Sequence, residues 1–175
     1  MAGESGETDS GECRIFSRMS RKGMEIARTF GEQLPRFDNL SEAEPELMRV
    51  RDSLLDKLKH AAVSAGVQLD ESGNSLKILE RWYFELIQSG GFESVGLTRD
   101  VFERGISMYL GAVIVQNIDG FNWVVQEFVF APGRYEIGVR RRGFTMMLTR
   151  GSNLEGVPNN KRHQSLFRRF QQLKR

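Results

Sequence analysis

At 175 residues, 39% hydrophobic and 27% charged, the chain has the length for one domain with a real core and the ordinary proportions of a soluble protein. Cys13 is the single cysteine, which excludes an internal disulfide, and with only two histidines no His/Cys metal site can be assembled. The net charge of +2 is unevenly spread: residues 1–130 carry 14 Lys and Arg against 21 Asp and Glu, whereas residues 131–175 carry 11 against 2.

Met1 to Glu12 is small and acidic, with almost nothing to bury. It predicts a disordered acidic tail over residues 1–13 and lacks the basic start and apolar core of a signal peptide. A single α+β domain is expected over residues 14–175, and the lone cysteine fits a cytoplasmic location. Ile15, Met19, Met24, Ile26, Ala27 and Phe30 form a loose helical stripe, which gives one short helix from about Lys22 to Leu34 before Pro35.

Ser41-Glu42-Ala43-Glu44-Pro45 reads as a helix start, with acids at the positive end of the dipole and proline in the first turn. Leu47, Val50, Leu54, Leu58, Ala61 and Ala65 fall on one face, and Arg49, Arg51, Asp52, Asp56, Lys57 and Lys59 mostly on the other. His60 lies near the C-terminal end, where positive charge is favoured, and Gly66 ends the helix. Val67-Gln68-Leu69 reads as a short extended segment and Asp70 to Asn74 as a turn. Ser75 then caps a helix with Leu76, Leu79, Trp82 or Tyr83, and Leu86 inside. The aromatics Trp82-Tyr83-Phe84 read as core rather than as a stacking platform, and Gly90-Gly91 breaks the chain.

Thr98 to Asn117 is the central helix, with Thr98 as its cap and Val101, Phe102, Ile106, Tyr109, Leu110, Val113 and Ile114 at steps of three and four. Arg99, Asp100, Glu103 and Arg104 fill its first turns, and its uninterrupted apolar part is about half the roughly 20 residues a membrane span needs. It reads as a buried helix. Gly105 and Gly111 each cost about 1 kcal/mol against alanine in a helix interior, so another helix or the sheet must approach closely there.

Three strand-like runs follow, Asn122 to Phe130, Arg134 to Arg141 and Phe144 to Thr149, joined at Ala131-Pro132-Gly133 and Arg141-Arg142-Gly143. In the second, Tyr135, Ile137 and Val139 alternate with Arg134, Glu136, Gly138 and Arg140, which predicts one buried and one wet face. A polar loop spans Gly151 to Asn160. Asn159 or Asn160 then caps a last helix, about 160–173, whose Leu166, Phe167, Phe170 and Leu173 share a face. The predicted fold is α+β. Helices to about residue 119 pack on one face of a three- or four-stranded antiparallel meander at about 122–149, and a basic helix closes the chain.

Three stretches together resemble small uncharacterised bacterial proteins of the kind classed as domains of unknown function. They are Val67-Gln68-Leu69-Asp70 leading to Ser75-Leu76 and Leu79, then Tyr109-Leu110-Gly111-Ala112-Val113-Ile114, then Asp119-Gly120-Phe121-Asn122-Trp123. In those proteins an extended Leu-Asp enters a capped Ser-Leu helix, and a Tyr-Leu-Gly-Glu-x-x-Ile helix precedes a Gly-Gly-x-Trp turn into a strand. The likeness covers about residues 67–150. Ala112 stands where they have glutamate, and the double glycine is lost. The resemblance implies the helix-plus-sheet scaffold and a bacterial cytoplasmic origin, and it implies no activity.

No phosphate loop, dinucleotide turn or Gly-x-Ser-x-Gly elbow occurs, and no catalytic, cofactor-binding or metal-ligating residue is assigned. Glu80, Glu85, Glu103 and Glu127 are carboxylates available for acid–base work, but no spacing brings them together. The partner-related signal is basic: Arg134, Arg140, Arg141, Arg142, Lys161, Arg162, Arg168 and Arg169 form the candidate binding surface. The first expectation is a non-enzymatic binding or accessory protein that meets a protein partner there. The alternative is a nucleic-acid-binding protein, which needs Phe167 and Phe170 exposed for stacking. An enzyme with a dispersed carboxylate site is the third, and a basic helix also suits an anionic membrane surface.

Overall fold

The computed structural model describes residues 20–149, Leu154 and residues 164–174. Its elements are α1 (Arg21–Glu32), α2 (Leu40–Ser64), α3 (Ser75–Ser89), a 3-10 turn (Glu93–Val95), α4 (Arg99–Asn117), β1 (Asn122–Glu127), β2 (Tyr135–Arg141), β3 (Phe144–Met147) and α5 (Ser165–Leu173). The tail expected at 1–13, most of the loop at 151–160 and the start expected for the last helix lie outside the described residues.

α4 is built as its sequence requires. The Val101 N–H donates to Thr98 Oγ1 at 3.3 Å, and Phe102, Ile106, Tyr109, Leu110, Val113 and Ile114 are all buried. A Cβ on Gly105 would sit 3.3 Å from Leu58 Cβ of α2. One on Gly111 would fall 2.5 Å from Leu148 Cδ1 and overlap the Trp123 ring. The cost of each glycine is therefore offset by a close approach, α2 at the first and the sheet at the second.

The sheet has the order β1-β2-β3, antiparallel throughout, with Val125 opposite Ile137 and Val139 opposite Met146. Its helices pack against it. Among the described residues there is no fourth strand; a single bridge between Arg36 and Arg134 extends one edge. The alternation expected along β2 does not hold, because Tyr135 through Val139 are all buried, Glu136 and Gly138 included. Met147, opposite Gly138 across the pair, covers the face that Gly138 leaves bare. β1 stops at Glu127, where its carboxylate accepts from the Gly133 N–H at 2.6 Å and draws Phe128 to Gly133 into the turn.

Three helix starts differ from expectation. Asn39, not Ser41, caps α2 by accepting from the Glu42 N–H at 3.0 Å, so Pro45 falls past the first turn, inside the helix. Ala65 becomes the C-cap, and Val67 N–H to Ala62 O at 2.8 Å with Gly66 N–H to Val63 O at 3.1 Å closes the end. Val67–Leu69 joins no strand.

Ser75 is the first residue of α3 rather than its cap. Its hydroxyl donates to Ser72 O at 2.6 Å, so the Tyr109 hydroxyl donates to Ser75 Oγ at 2.7 Å and accepts the Glu71 N–H at 2.7 Å. The Tyr-Leu-Gly and Ser-Leu stretches thus meet through one hydrogen bond, and Gly111 meets Trp123 in the same way by contact. Burial pushes the Tyr109 phenol up. Trp82 and Tyr83 are both core, with Phe84 beside them.

α5 begins at Ser165, and its cap is supplied by another helix. Glu80 of α3, wholly buried, accepts from the Ser165 N–H at 3.1 Å, Ser165 Oγ at 3.0 Å and the Leu166 N–H at 2.9 Å. Leu166 and Phe170 enter the main core, which runs through α2, α3, α4, α5 and the sheet. A second, small cluster of Ala27, Leu34 and Phe128 holds α1 against the β1–β2 turn.

Candidate functional site

The ends of three elements converge on a groove of about 700 Å³, lined by Asp119, Gly120, Phe121, Arg141, Arg142, Phe144, Gln172 and Leu173. The turn after α4 supplies one wall, the β2–β3 hairpin the second and the C-terminal end of α5 the third. Arg142 and Gly143 take φ of 41° and 78°, the left-handed pair of a two-residue hairpin, so Arg142 and Phe144 project from its tip.

Arg141 anchors the site. It donates from Nη2 to Leu173 O at 3.2 Å, where the carbonyl end of α5 favours a cation, and its guanidinium lies 4.8 Å from the Phe121 ring centre. Phe144 meets Phe121 edge to face at 6.3 Å and remains 46% exposed. Arg140, one residue back, donates to Thr145 Oγ1 at 3.0 Å and Gln126 Oε1 at 2.7 Å. Among the described residues no carboxylate forms an ion pair with Arg140, Arg141 or Arg142, and Asp119 is the one carboxylate in the lining.

The eight basic residues read from the sequence are thus divided. Arg141 and Arg142 come together in the groove lining, while Arg140, the preceding residue of β2, is not part of it and bonds Thr145 and Gln126 instead. Arg168 and Arg169 are exposed on α5. Arg134 turns away, donating to Leu34 O at 2.6 Å at the other end of β2. Lys161 and Arg162 lie outside the described residues. Sequence reasoning did not assign Phe121 or Phe144 to the site: Phe121 follows a turn signal, and Phe144 reads as one of the alternating residues of the third strand with Met146 and Leu148, whereas it is exposed at the groove. It also missed Lys77, whose ammonium lies 3.9 Å from the Phe167 ring centre between α3 and α5.

Three of the four carboxylates available for acid–base work are engaged separately. Glu80 holds α5, and Glu127 accepts from the Gly133 N–H. Glu103 accepts from the Tyr83 hydroxyl at 2.6 Å and Arg99 Nε at 2.8 Å, while Glu85 is exposed on α3. Burial first, then the Glu103 carboxylate, pushes the Tyr83 phenol well above its ordinary range. His60 has Nδ1 3.0 Å from Asp56 O in the last turns of α2.

Fold and site together define a small α+β protein with a basic, partly aromatic groove beside its C-terminal helix. The chain belongs to the family described as "Uncharacterised protein YwmA", whose model matches residues 36–174. It is 29% identical over 123 residues to the "Uncharacterized protein YwmA" of Bacillus subtilis (strain 168), which covers 70% of this chain and 78% of that protein. No solved structure matches the chain. The likeness seen in the sequence over about 67–150 was therefore to a bacterial family that reaches further, across α2 and α5. No helix among the described residues is long and apolar enough to cross a membrane.

Proposed function

We propose that this is a cytoplasmic, non-enzymatic binding or accessory protein that takes an acidic segment of a protein partner into the groove. One observation carries the reading: Arg141, Arg142, the Phe121 ring and the exposed Phe144 meet in one concave lining, and neither arginine has an ion-pair partner among the described residues. Guanidinium groups hold carboxylates through paired hydrogen bonds, and an exposed aromatic adds apolar contact that a solvated basic face lacks. Nucleic-acid binding is less well served, since Phe170 is buried and Phe167 lies half-buried under Lys77.

A fluorescein-labelled acidic peptide with one tryptophan tests this, titrated by anisotropy at low and high salt beside labelled single-stranded RNA and duplex DNA. The parent is compared with Arg142→Glu and Phe144→Ser, both at exposed positions, with folding checked by circular dichroism. Peptide binding that falls with salt and in both variants is the expected result. Failure to bind at low salt overturns it. Nucleic-acid binding lost in Arg142→Glu, with none to the peptide, moves the assignment to nucleic acid.

A further inference from the structure

We propose that the receptor surface continues from the groove along one flank of α5, through Arg169 and Arg168, so that it takes an extended acidic segment of a protein partner longer than the groove itself. The inference rests on reading the groove as a receptor for acidic segments. It adds the path that the segment follows and the spacing of its acids.

Helix geometry places the two arginines. α5 gives the groove Gln172 and Leu173, which are the i+3 and i+4 neighbours of Arg169. At about 100° per residue, Arg169 points between them from one turn back. Gln172 is likewise the i+4 neighbour of Arg168. Both arginines are exposed, and α5 contains no Asp or Glu to pair with them. Among the described residues neither forms an ion pair. The wall that starts with Gln172 and Leu173 is therefore cationic for a further turn.

Position, rather than free charge, selects this flank, since Arg28, Arg36 and Arg81 also lack an ion-pair partner among the described residues. Arg28 lines a separate hollow with Met24, Glu25 and Phe130, and Arg36 bridges Arg134 at the end of β2 away from the groove. Arg81 follows Lys77 by four residues on α3, and the Lys77 ammonium lies over the Phe167 ring. Phe167 and Arg169 are two positions apart, about 200° round the helix. Arg81 thus stands on the α3 side of α5, and Arg169 on the groove side.

The same geometry sets the partner's spacing. One helical turn is about 5 Å and an extended segment advances about 3.3 Å per residue, so a segment seated in the groove comes level with Arg169 two residues further on. Side chains alternate along an extended chain, and residues two apart point the same way. A carboxylate that faces the α5 wall in the groove is therefore followed, two positions on, by one that faces Arg169. Guanidinium groups hold carboxylates through paired, charge-assisted hydrogen bonds. The fitting partner carries acids at alternate positions.

Two fluorescein-labelled peptides test this by anisotropy at low salt, with the full chain. The short one is Glu-Trp-Glu. The long one extends it at both ends so that glutamate recurs at every second position, with serine between. The parent is compared with a double variant, Arg168→Gln with Arg169→Gln, and with Arg81→Gln, all at exposed positions and checked by circular dichroism. The double variant should bind the long peptide about fivefold more weakly, as two exposed ion pairs warrant, and the short one as the parent does. Arg81→Gln should move neither. Equal binding of the long peptide by parent and double variant overturns the extension, and a loss of both peptides in Arg142→Glu then leaves the groove reading standing. A loss in Arg81→Gln as large as in the double variant means that net charge alone is read, which also overturns it. No binding of the long peptide by the parent removes the groove reading and the extension with it.

Discussion

Glu80 has no exposed surface, yet its three donors all come from the first two residues of α5. A buried carboxylate costs several kcal/mol unless it is satisfied, and the N-terminus of a helix offers both free amides and a positive dipole end. Each partner therefore cancels the other's penalty. Glu80→Ala should lose about 3 kcal/mol, a fall of roughly 10 °C in Tm for a domain of this size. Glu80→Gln, which keeps an acceptor oxygen, should fall between that variant and the parent. Thermal melts of the three chains decide it, and an alanine variant as stable as the parent would refute the capping role. Nothing in the sequence announces this bond. Local rules point to Asn159 or Asn160 as the cap, whereas the acceptor that does the work stands 85 residues upstream of Ser165.

At the scale of elements, periodicity carried most of the fold. The five helices among the described residues, the three strands and the turn at Arg142-Gly143 all stand where apolar spacing and turn residues put them. Gly105 and Gly111 foretold two close approaches before either neighbour was known, and Gly111 gives the sharper test. Gly111→Leu gains about 1 kcal/mol of helix propensity but drives a side chain into Trp123 and Leu148, where overpacking costs about 1–3 kcal/mol or more. A lower urea midpoint is expected; an unchanged one would mean that the sheet does not press on α4. Element ends were less legible, since they depend on partners far along the chain. The face of β2 that reads as wet is covered at Gly138 by Met147, and no alternation of residues within β2 can report that.

Across the whole molecule the packing is in two parts. The main core takes in α2 to α5 and the sheet, while α1 rests on the separate cluster of Ala27, Leu34 and Phe128 and lies outside the family match at 36–174. So small a cluster supports little stability of its own, and local opening follows the weakest unit. Amide exchange should be faster in α1 than in α4. Gly31→Leu, aimed into the Phe128 ring 2.6 Å from its Cβ position, should unprotect α1 and leave α4 unchanged. Equal loss in both helices would mean one cooperative unit instead. The candidate groove belongs to this scale as well. Its arginines were visible as a local excess of charge, but only three element ends folded together distinguish Arg141 and Arg142 from Arg134, which the same excess contains. The reach from Glu80 to Ser165 also sets an order of events during synthesis. At about 5–20 residues per second, a ribosome adds the 85 residues between them in roughly 4–17 s. Through that interval the nascent α3 must keep its carboxylate in water, so the core stays open on that side until the last helix emerges to close it.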